Sequence, residues 1–468
     1  MSWLNNVREK FEKNFTNTPA YRDWTMIAGI DIDGQLRGKV VKTEKLVRAK
    51  GAVGFCSVVF GWDLNDDKYT PELGISNSSN GYRDIEAVID ANSFRNFPFQ
   101  PGKQTSLALV YFANTDGTPL AQDPRGLLKS VVTRFDGQHP KAGMELEFFN
   151  YNESGPSVLK KGGRDLVPLT VGMHGYSVYR PMMGNEYWNK ILDYSNEFGI
   201  DIECLHSETG PGVYEVALEY ADACLLADRA TLFKLACRKA GTEVGNVIPC
   251  FMAKPQSDLP GNSGHIHVSL ADEFNSNIFS SEGEADPPFP EVKYLSQAGQ
   301  HFLAGLLDGL EDVMILFAPN INSYKRLDPN FWAPTTISWG AEHRLTSIRL
   351  IDAKPNAKGC RFEVRIPGAD VVPHLALAAI LALGHRGMAA EMPLKTAPTR
   401  SEQDFLNSPK LPCTMQEAIG KFSAKTSVAR ELFGDDFVDH YTGTRLHELE
   451  KYNRAVTDWE KVRYFETT

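Results

Sequence analysis

Three short segments that alternate apolar with charged or polar residues constrain the fold of this chain most strongly. They read GMELEFF at residues 143–149, HIHVSL at residues 265–270 and RFEVRI at residues 361–366. Successive side chains of a β-strand point to opposite faces, so each segment predicts a strand with one apolar and one charged face. Any one segment also fits a strand whose polar face is simply solvated. Together the three predict a concave charged sheet that binds metal ions and an anionic substrate.

The charged faces of these strands carry residue types that bind metals and phosphates. They are Glu145, Glu147, His265, His267, Ser269, Arg361, Glu363 and Arg365. The segment IECLHSETGPGVYE adds the carboxylates of Glu203, Glu208 and Glu215. Carboxylates with an occasional histidine suit Mg²⁺ or Mn²⁺ better than Zn²⁺. Because so many carboxylates in one cavity would repel each other, we expect two or more ions.

A compact group of basic residues provides the counterpart of these carboxylates. It consists of Arg326, Arg344, Arg349, Lys358, Arg361 and Arg365. Any one of them alone is more often a surface or salt-bridge residue. The arginine fork binds carboxylate and phosphate oxygens bidentately, so beside metal-binding carboxylates the group predicts phosphoryl transfer on an acid substrate. The chain has no Walker A loop and no GxGxxG that opens a helix, so a nucleotide would bind at neither a P-loop nor a Rossmann site.

Length and charge narrow the class of protein. A chain of 468 residues predicts two or three domains. The net charge of −10 argues against nucleic acid or an anionic membrane as the main partner. The most apolar run, Leu375–Leu383, is far shorter than the ~20 residues that span a bilayer. Residues 1–15 contain no apolar stretch typical of a signal peptide. The cysteines form no CxxC pair, which is typical of free thiols in a reducing compartment. We therefore expect the protein in the cytoplasm.

The first part of the chain predicts a small α+β unit. Residues 2–13 predict an amphipathic helix, and the segment MIAGIDIDGQLRGKVV predicts a β-hairpin that turns at Asp33-Gly34. Ser106–Phe112 predicts a further strand of the same unit. The stretch Asn114–Asp123 is rich in Asn, Asp, Gly and Pro, and therefore predicts a domain boundary.

Longer helices are predicted beyond this boundary. We expect a helix over Tyr220–Ala240 that ends at Gly241, and a buried helix over Pro373–Glu391 that has proline at its start. The sequence Thr-Met-Gln-Glu at residues 414–417 is spaced as a capping box. We expect the helix that it opens to end at Gly434.

Four motifs in a fixed order carry a family resemblance. MELEFF, HIHVSL, NSYKRL and RFEVRIPGAD follow one another along the chain, which closes with TDWEKVRYFE before the last residues. On these motifs the sequence resembles the glutamine synthetase family, class I-like in length, over nearly the whole chain. The resemblance implies an α+β fold with a small N-terminal β-grasp domain at residues 1–112 and a catalytic domain at residues 116–468. The catalytic domain would contain a curved antiparallel sheet flanked by helices.

The resemblance also implies an assembly and a reaction. The N-terminal domain of a neighbouring subunit would complete each active site, so we expect a homo-oligomeric ring, with a dodecamer as the expected size. ATP would phosphorylate the γ-carboxylate of glutamate, and an amine or ammonium would displace phosphate from the γ-glutamyl phosphate. Metal ions and arginines would neutralise the charge that builds on the phosphoryl oxygens.

The roles of individual residues follow from the same resemblance. One metal ion would be held by Glu147, Glu208 and Glu215, and a second by Glu145, His265 and Glu363. The residues that match nucleotide contacts are Glu203, Tyr220, His267, Ser269, Lys358 and Arg361. The residues that match contacts to glutamate are Gly261, Arg326 and Arg365. Arg344 and Arg349 match residues that act on the transferring phosphoryl group.

The acceptor site departs from the ammonia-using members of the family at one residue. The flap that follows NSYKRL carries a glutamate in those members, and this chain has Trp332 there. A tryptophan cannot accept a proton, but it can form an apolar wall and offer a π face to an organic amine. Trp332 therefore favours a γ-glutamyl–amine ligase, with a polyamine or similar amine as acceptor, over a glutamate–ammonia ligase.

Three alternatives remain open. In a true glutamine synthetase Trp332 would only repack the flap, and Asp63, Asp66 or Glu342 would take the amine proton. Asp63 is the catalytic candidate among them, because it falls where a neighbouring subunit's aspartate would come. A non-catalytic ring protein of the same fold would not need the matched metal ligands, all of which are present. A metallohydrolase would explain neither the arginines nor the order of the motifs.

Overall fold

Two β-sheets organise the residues that the computed structural model describes, which are 3–15, 23–98 and 105–468. The first elements are α1 (Trp3–Phe15), β1 (Trp24–Ile30), β2 (Leu36–Lys42), α2 (Thr43–Arg48), β3 (Ala52–Cys56), β4 (Asp84–Ile89), β5 (Arg95–Asn96) and β6 (Thr105–Ala113). Their sheet has the order β2-β1-β6-β4-β3, and β5 pairs with β6. β1 runs parallel to β6, and the other pairs are antiparallel.

The structure confirms the elements predicted in this first part of the chain. The helix expected at residues 2–13 is α1, and residue 2 lies outside the described residues. The predicted hairpin is formed by β1 and β2. It turns where expected, since Gly34 has a φ of +80° and its N–H donates to the Asp31 carbonyl at 3.0 Å. Glycine reaches this left-handed conformation without the steric penalty of a side chain.

The second sheet is larger and holds all three charged segments. Its strands are β7 (His139–Tyr151), β8 (Ile202–Ser207), β9 (Val213–Asp222), β10 (Ile248–Cys250), β11 (Ile266–Ala271), β12 (Trp339–Ala341), β13 (Ile348–Ile351) and β14 (Arg361–Val364). They are ordered β12-β13-β14-β11-β7-β9-β8, with β10 paired to β7. All pairs are antiparallel except β12 with β13. The sheet therefore has the mainly antiparallel arrangement expected from the sequence.

The described residues after β6 also form helices. They are α3 (Pro124–Val132), α4 (Gly155–Lys161), α5 (Tyr179–Met183), α6 (Asn185–Glu197), α7 (Ala223–Glu243), α8 (Gln297–Gly309), α9 (Met314–Phe317), α10 (Ile321–Arg326), α11 (Pro373–Ala389), α12 (Glu402–Asn407), α13 (Met415–Ser423), α14 (Val428–Phe433), α15 (Asp435–Arg454) and α16 (Asp458–Tyr464). Within the described residues, none of the helices is long and apolar enough to cross a membrane.

The main hydrophobic core lies between the apolar sheet face and helices α7, α8 and α11. Phe148 of β7 packs edge-on against Phe233 of α7 at 5.9 Å, and Phe362 of β14 stacks on Phe302 of α8 at 5.8 Å. The same core includes Leu109 of β6, so one face of the first sheet also packs against it. Burial of apolar side chains on this side of β7, β11 and β14 leaves their charged side chains on the opposite face.

Two of the predicted helices differ from those observed. Residues 220–222 continue β9, because their backbone pairs with β7, and α7 begins only at Ala223. Gly241 lies inside α7 rather than after it, where a Cβ would come within 2.1 Å of the Val247 carbonyl oxygen. The helix expected from Thr414 to Gly434 is instead two helices, α13 and α14, because a tertiary hydrogen bond from the Val428 N–H to Asp312 fixes a new start.

Only half of the capping box predicted at residues 414–417 forms. The Thr414 hydroxyl accepts a hydrogen bond from the Glu417 N–H at 3.2 Å, as a capping box requires. The Glu417 carboxylate, however, accepts from the N–H of Cys413 rather than from that of Thr414.

The helix expected over Pro373–Glu391 is confirmed as α11, whose residues from Pro373 to Gly384 are all buried.

Candidate active site

Strand pairing brings the charged faces of the predicted segments together. His267 of β11 lies opposite Glu363 of β14, and Glu147 of β7 lies opposite Glu215 of β9. The Glu145 N–H donates to the carbonyl of His265 at 3.0 Å, which places these two residues side by side. Directly paired residues of adjacent strands share one face of the sheet. The result is a single surface on which carboxylates and imidazoles are close neighbours.

The first cluster on this surface surrounds Glu145. Its carboxylate lies 3.2 Å from His265 Nδ1 and 3.3 Å from His267 Nε2, and His265 Nδ1 lies 3.3 Å from Glu363. Potential ligand atoms of Glu145, His267 and Glu363 all lie within 4.8 Å of one another. The structure thus brings together the three residues expected to hold one ion, and it adds His267. Burial would raise the pKa of Glu145, but hydrogen bonds from both histidines lower it well below its usual range.

The second cluster consists of His206, Glu208 and Glu215. Their ligand atoms also lie within 4.8 Å of one another, and His206 Nε2 is 3.5 Å from the Glu215 carboxylate. Glu147, the remaining expected ligand, lies opposite Glu215 and accepts a hydrogen bond from the Ser263 N–H at 2.6 Å. The sequence prediction omitted His206. Strand alternation could have found it, because His206 and Glu208 are two residues apart at the end of β8.

Glu215 shows that the two clusters contain an excess of negative charge. Burial and the charges of Glu147, Glu145 and Glu208 together raise its pKa to about 9. Repulsion from the neighbouring carboxylates makes such a carboxyl group retain its proton at neutral pH. A bound cation offsets this repulsion, so the group releases its proton when the cation binds. Carboxylate oxygens with imidazole nitrogens are donors that suit Mg²⁺ or Mn²⁺. The residues present therefore fit divalent ions.

Three of the expected arginines lie beside the first cluster or beside the loop that precedes β11. Arg349 contacts Glu363 at 3.1 Å and Glu342 at 2.7 Å, and Arg365 forms an ion pair with Glu363. Arg326 is buried, and it donates hydrogen bonds to the backbone carbonyls of Arg365 and Ile366. Burial lowers the pKa of the Arg326 guanidinium to about 10. A buried cation without a carboxylate hydrogen-bonded to it is suited to bind an anionic substrate.

Gly261 allows the loop before β11 to approach Arg326. A Cβ at this position would lie 2.8 Å from Arg326 Cγ and 2.3 Å from the carbonyl oxygen of Ala253. Any larger residue would therefore displace the loop or the arginine. This agrees with the expectation that Gly261, Arg326 and Arg365 form one subsite, and their contacts with glutamate remain a prediction.

The residues expected to bind the nucleotide lie on the adjoining part of the sheet. Arg361 Nε is 3.2 Å from His267 Nδ1, and an added Cβ at Gly143 would lie 3.8 Å from the Cβ atoms of both His267 and Tyr220. Gly143 therefore lies next to both of these side chains, and Tyr220 is exposed.

Three other expected nucleotide contacts lie at the rim of the charged face. Ser269 is half-buried on β11, opposite Lys141 of β7. Glu203 is exposed at an irregularity of β8, and Lys358 is exposed in the loop before β14. The carbonyl oxygen of Lys358 accepts a hydrogen bond from Asn277 Nδ2 at 3.0 Å, which fixes the backbone of that loop.

This site can be compared with known proteins. The family model described as glutamine synthetase, catalytic domain, matches residues 121–464. The chain belongs to the glutamine synthetase family. Type-1 glutamine synthetase 2 of Dictyostelium discoideum is 39% identical over 451 residues, which cover 94% of this chain and 83% of that protein. Glutamate–isopropylamine ligase of a Pseudomonas species is 32% identical, with 98% and 97% of the two chains covered.

Two further comparisons agree with this family assignment. The γ-glutamylethanolamide synthetase of Streptomyces coelicolor is 31% identical, with 95% of this chain and 93% of that protein covered. The solved structure of a GmaS–ADP complex shares the fold, with a TM-score of 0.78 over 99% of both chains at 24% identity. Members of the glutamine synthetase family are ATP-dependent ligases that act on ammonia or amines and use divalent metal ions. The chain is accordingly an enzyme of the acid–amine or acid–ammonia ligase class.

The segment that is expected to form the acceptor flap has an unusual backbone at Trp332. A short helical turn over residues 329–331 ends at Trp332, which has a φ of +61° and an indole that is 64% exposed. A bulky residue rarely adopts positive φ, so neighbouring contacts must hold it. Lys254 contacts the preceding residue of this turn, since its Nζ lies 3.9 Å from the ring centroid of Phe331 and donates to the Leu259 carbonyl at 2.6 Å.

The candidate proton acceptors all form ion pairs within one chain. Asp63 is buried, and it contacts Lys451 Nζ at 2.7 Å and His447 Nε2 at 3.2 Å, both from α15. Asp66 forms an ion pair with Arg37 at 2.6 Å, and Glu342 is bound by Arg349. The structure of one chain therefore does not bring Asp63 to its own carboxylate clusters, and a role in a neighbouring subunit's site remains a prediction.

Tyr176 is a further residue of the site that the sequence prediction missed. Its ring stacks on the His206 imidazole with 4.5 Å between centroids, and its N–H donates to the Ser207 carbonyl at 2.7 Å. Burial raises the pKa of its hydroxyl, as do the charges of Glu215 and Glu208, while the exposed Arg344 lowers it. Tyr176 therefore lies beside the second cluster, in contact with His206. No local sequence pattern marks Tyr176, because its contacts come from a loop that folds back over β8.

Proposed function

We propose that this family member joins the γ-carboxylate of glutamate to an organic amine, with conversion of ATP to ADP and phosphate. The observation that carries the proposal is the exposed indole of Trp332 on the acceptor flap, where a carboxylate would serve ammonium. An indole cannot take the proton of an ammonium ion. It can exclude water from an acyl phosphate and contact the substituent of a larger amine.

The names of two relatives support an organic amine as the acceptor. Glutamate–isopropylamine ligase and γ-glutamylethanolamide synthetase are each more than 30% identical to this chain over nearly its whole length. Both act on a primary amine that carries a short substituent. We extend the same class of acceptor to this chain, which includes polyamines and similar amines.

The first half of the reaction forms γ-glutamyl phosphate. A γ-carboxylate oxygen of glutamate forms a bond to the γ-phosphorus of ATP while the bond from that phosphorus to ADP breaks. Gly261, Arg326 and Arg365 would bind the glutamate. Arg344 and Arg349 would contact the phosphoryl group, and their positive charge favours the transition state over the ground state.

Two groups of side chains would hold the divalent ions, Mg²⁺ or Mn²⁺. The groups are Glu145, His265, His267 and Glu363, and Glu147, His206, Glu208 and Glu215. Ions bound there supply charge neutralisation to the phosphoryl oxygens. Glu203, Tyr220, His267, Ser269, Lys358 and Arg361 would bind ATP.

The second half of the reaction joins the amine. Its nitrogen forms a bond to the γ-carbonyl carbon, the bond from that carbon to the phosphate oxygen breaks, and the nitrogen loses a proton. Trp332 would close the acceptor side and keep water away from the acyl phosphate. Asp63 of a neighbouring subunit is the proposed residue for the proton, which requires that subunits meet at this site.

Synthesis of glutamine from ammonium is the second candidate. A specific observation favours it, since the relative from Dictyostelium discoideum is named a glutamine synthetase and is 39% identical to this chain. In that case another carboxylate would replace the flap glutamate. A non-catalytic ring protein is a weaker candidate, because such a protein would not need the expected metal ligands, all of which are present in the sequence.

Phosphate release by the purified protein separates these candidates. The assay contains Mg²⁺, ATP and glutamate, and compares ammonium with isopropylamine, ethanolamine, 1,4-diaminobutane and 2-phenylethylamine. The proposal expects release to be stimulated far more by at least one organic amine than by ammonium. Efficient release with ammonium alone would establish the second candidate, and absence of release with any acceptor would establish the third.

Trp332→Glu tests the residue that carries the proposal. A carboxylate on the flap should increase kcat/KM for ammonium and decrease it for the preferred organic amine, while KM for ATP stays the same. Phe274→Glu is a matched control, because it places the same carboxylate at another exposed aromatic position outside both clusters. Unchanged acceptor preference in Trp332→Glu would contradict the role of the indole.

We also propose that the protein forms a homo-oligomeric ring, with a dodecamer as the expected size. Residues 1–112 of one subunit would then complete the site in residues 116–468 of the next. The exposed apolar side chains of Trp459, Val462 and Phe465 near the C-terminus support burial against another subunit. Sedimentation velocity measures the assembly, and a monomer that retains full activity would contradict it.

A further inference from the structure

A cavity of about 380 Å³ adjoins the second carboxylate cluster. It lies between helices α5 and α6 and the edge strand β8, where no further strand continues the sheet among the described residues. Its volume is within the roughly 300–1,000 Å³ of small-molecule sites. None of the residues expected from the sequence to bind ATP, glutamate or metal lines this cavity.

Two residues belong both to the cavity and to the cluster. Tyr176 and His206 line the cavity with stacked rings, and the His206 imidazole lies 3.5 Å from the Glu215 carboxylate and 3.8 Å from that of Glu208. An amino group at this end of the cavity is therefore one ring away from carboxylates that attract a cation. The aromatic faces of Tyr176 and Trp188 also favour a positively charged amino group or an aromatic ring nearby.

The remaining lining of the cavity is mainly apolar. Val178, Met182, Trp188 and Leu205 form its walls, and the described lining residues include no Asp, Glu, Lys or Arg. The two asparagines at its rim are joined by a hydrogen bond, which Asn189 Nδ2 donates to Asn185 Oδ1 at 2.8 Å. A second ammonium group would lose water here without gaining a counter-charge, which is unfavourable.

We infer that this cavity binds the apolar or aromatic substituent of a primary monoamine, whose amino group lies beside Tyr176 and His206. The inference rests on the proposed function, and it narrows the acceptor from organic amines in general to monoamines with an apolar body. Polyamines are disfavoured, because their second charge would lie against Val178, Met182 and Leu205.

The test compares a cavity variant with a matched neighbour. Met182→Trp fills the cavity, while Met183→Trp adds the same ring at the adjacent exposed methionine, which does not line it. Calorimetric titration with 2-phenylethylamine and with 1,4-diaminobutane is performed on the full-length protein with Mg²⁺ and ADP. Phosphate release with ammonium, methylamine and both titrated amines is measured on the same three proteins.

The inference expects the wild-type protein to bind 2-phenylethylamine about tenfold more tightly than 1,4-diaminobutane, a difference of about 1.4 kcal/mol. Met182→Trp should weaken that binding by about tenfold and Met183→Trp should leave it nearly unchanged. KM values for glutamate and ATP should be the same in all three proteins. Met182→Ala, which enlarges the cavity, should accept a bulkier arylalkylamine than the wild-type protein does.

Other outcomes would overturn the inference. Tighter binding of the diamine, equal effects of the two tryptophan variants, or no binding of 2-phenylethylamine would each do so. A change of assembly state in Met182→Trp without a change in amine binding would show that the cavity is an interface between copies of the chain. If organic amines are substrates but Met182→Trp has no effect, only the cavity assignment fails. If ammonium alone is a substrate, the proposed function fails. The titration then shows separately whether the cavity binds an organic amine.

Discussion

Replacing Glu215 with glutamine should separate the role of the carboxylate clusters in metal binding from their effect on stability. Burial and the neighbouring charges of Glu147, Glu145 and Glu208 raise the pKa of Glu215 to about 9. In the metal-free protein this carboxyl group is therefore protonated at neutral pH. Glutamine has the same shape as the protonated group, so the variant should fold normally.

The pH dependence of the free energy of unfolding gives the magnitude. In the unfolded chain Glu215 titrates at its ordinary pKa of 4.5, so between 4.5 and about 9 the folded state holds one more proton than the unfolded state. The stability that this proton provides is fully present below the unfolded pKa and is lost as pH rises, by about 1.4 kcal/mol per pH unit. Glutamine does not titrate. Between pH 6 and 8 the variant should therefore gain about 2.7 kcal/mol relative to the wild-type protein.

Urea unfolding with EDTA present measures this difference, and Glu219→Gln serves as the control. Glu219 is an exposed carboxylate on the same strand, so its replacement should leave the pH dependence unchanged. Thermal unfolding with Mn²⁺ then tests the second role. At a concentration of 100 times the dissociation constant, Mn²⁺ should stabilise the wild-type protein by about 2.7 kcal/mol, and Glu215→Gln should lose much of this effect. Parallel pH profiles of the wild-type and variant proteins, or equal stabilisation by Mn²⁺, would refute the reasoning.

The other predictions concern the core and the flap. Arg125→Met should lower the free energy of unfolding by about 3–5 kcal/mol, because it leaves the buried carboxylate of Asp228 without the arginine that lies 2.8 Å away. Urea unfolding beside the exposed control Arg48→Met checks this, and a loss as small as that of the control would contradict it. Lys254→Met removes the cation 3.9 Å from the Phe331 ring, so KM for the amine should rise several-fold while KM for ATP is unchanged. Steady-state kinetics measure both constants, and an unchanged KM for the amine would show that Lys254 does not position the flap.

The sequence correctly predicted the elements whose signals are local. The alternation in GMELEFF and RFEVRI depends only on neighbouring residues, and it predicted which side chains of β7 and β14 face the hydrophobic core. The hairpin turn at Gly34 and the proline start of α11 are local in the same sense. Helix limits that depend on distant contacts were wrong, since pairing of residues 220–222 with β7 and the hydrogen bond from Val428 to Asp312 involve residues far away in the chain.

The sequence by itself also determined the family and the donor types of the two clusters, because the order of the motifs and the alternation of strand residues are properties of the linear chain. Only the tertiary structure decided which residues meet. Glu147 lies opposite Glu215, and His206 lies beside it, because β7, β9 and β8 pair in that order, and strand order is not encoded by any local period. The position of Tyr176 over His206 and the cavity behind it arise from a loop that packs on β8. Such contacts depend on the whole core, so no stretch of sequence shows them in advance.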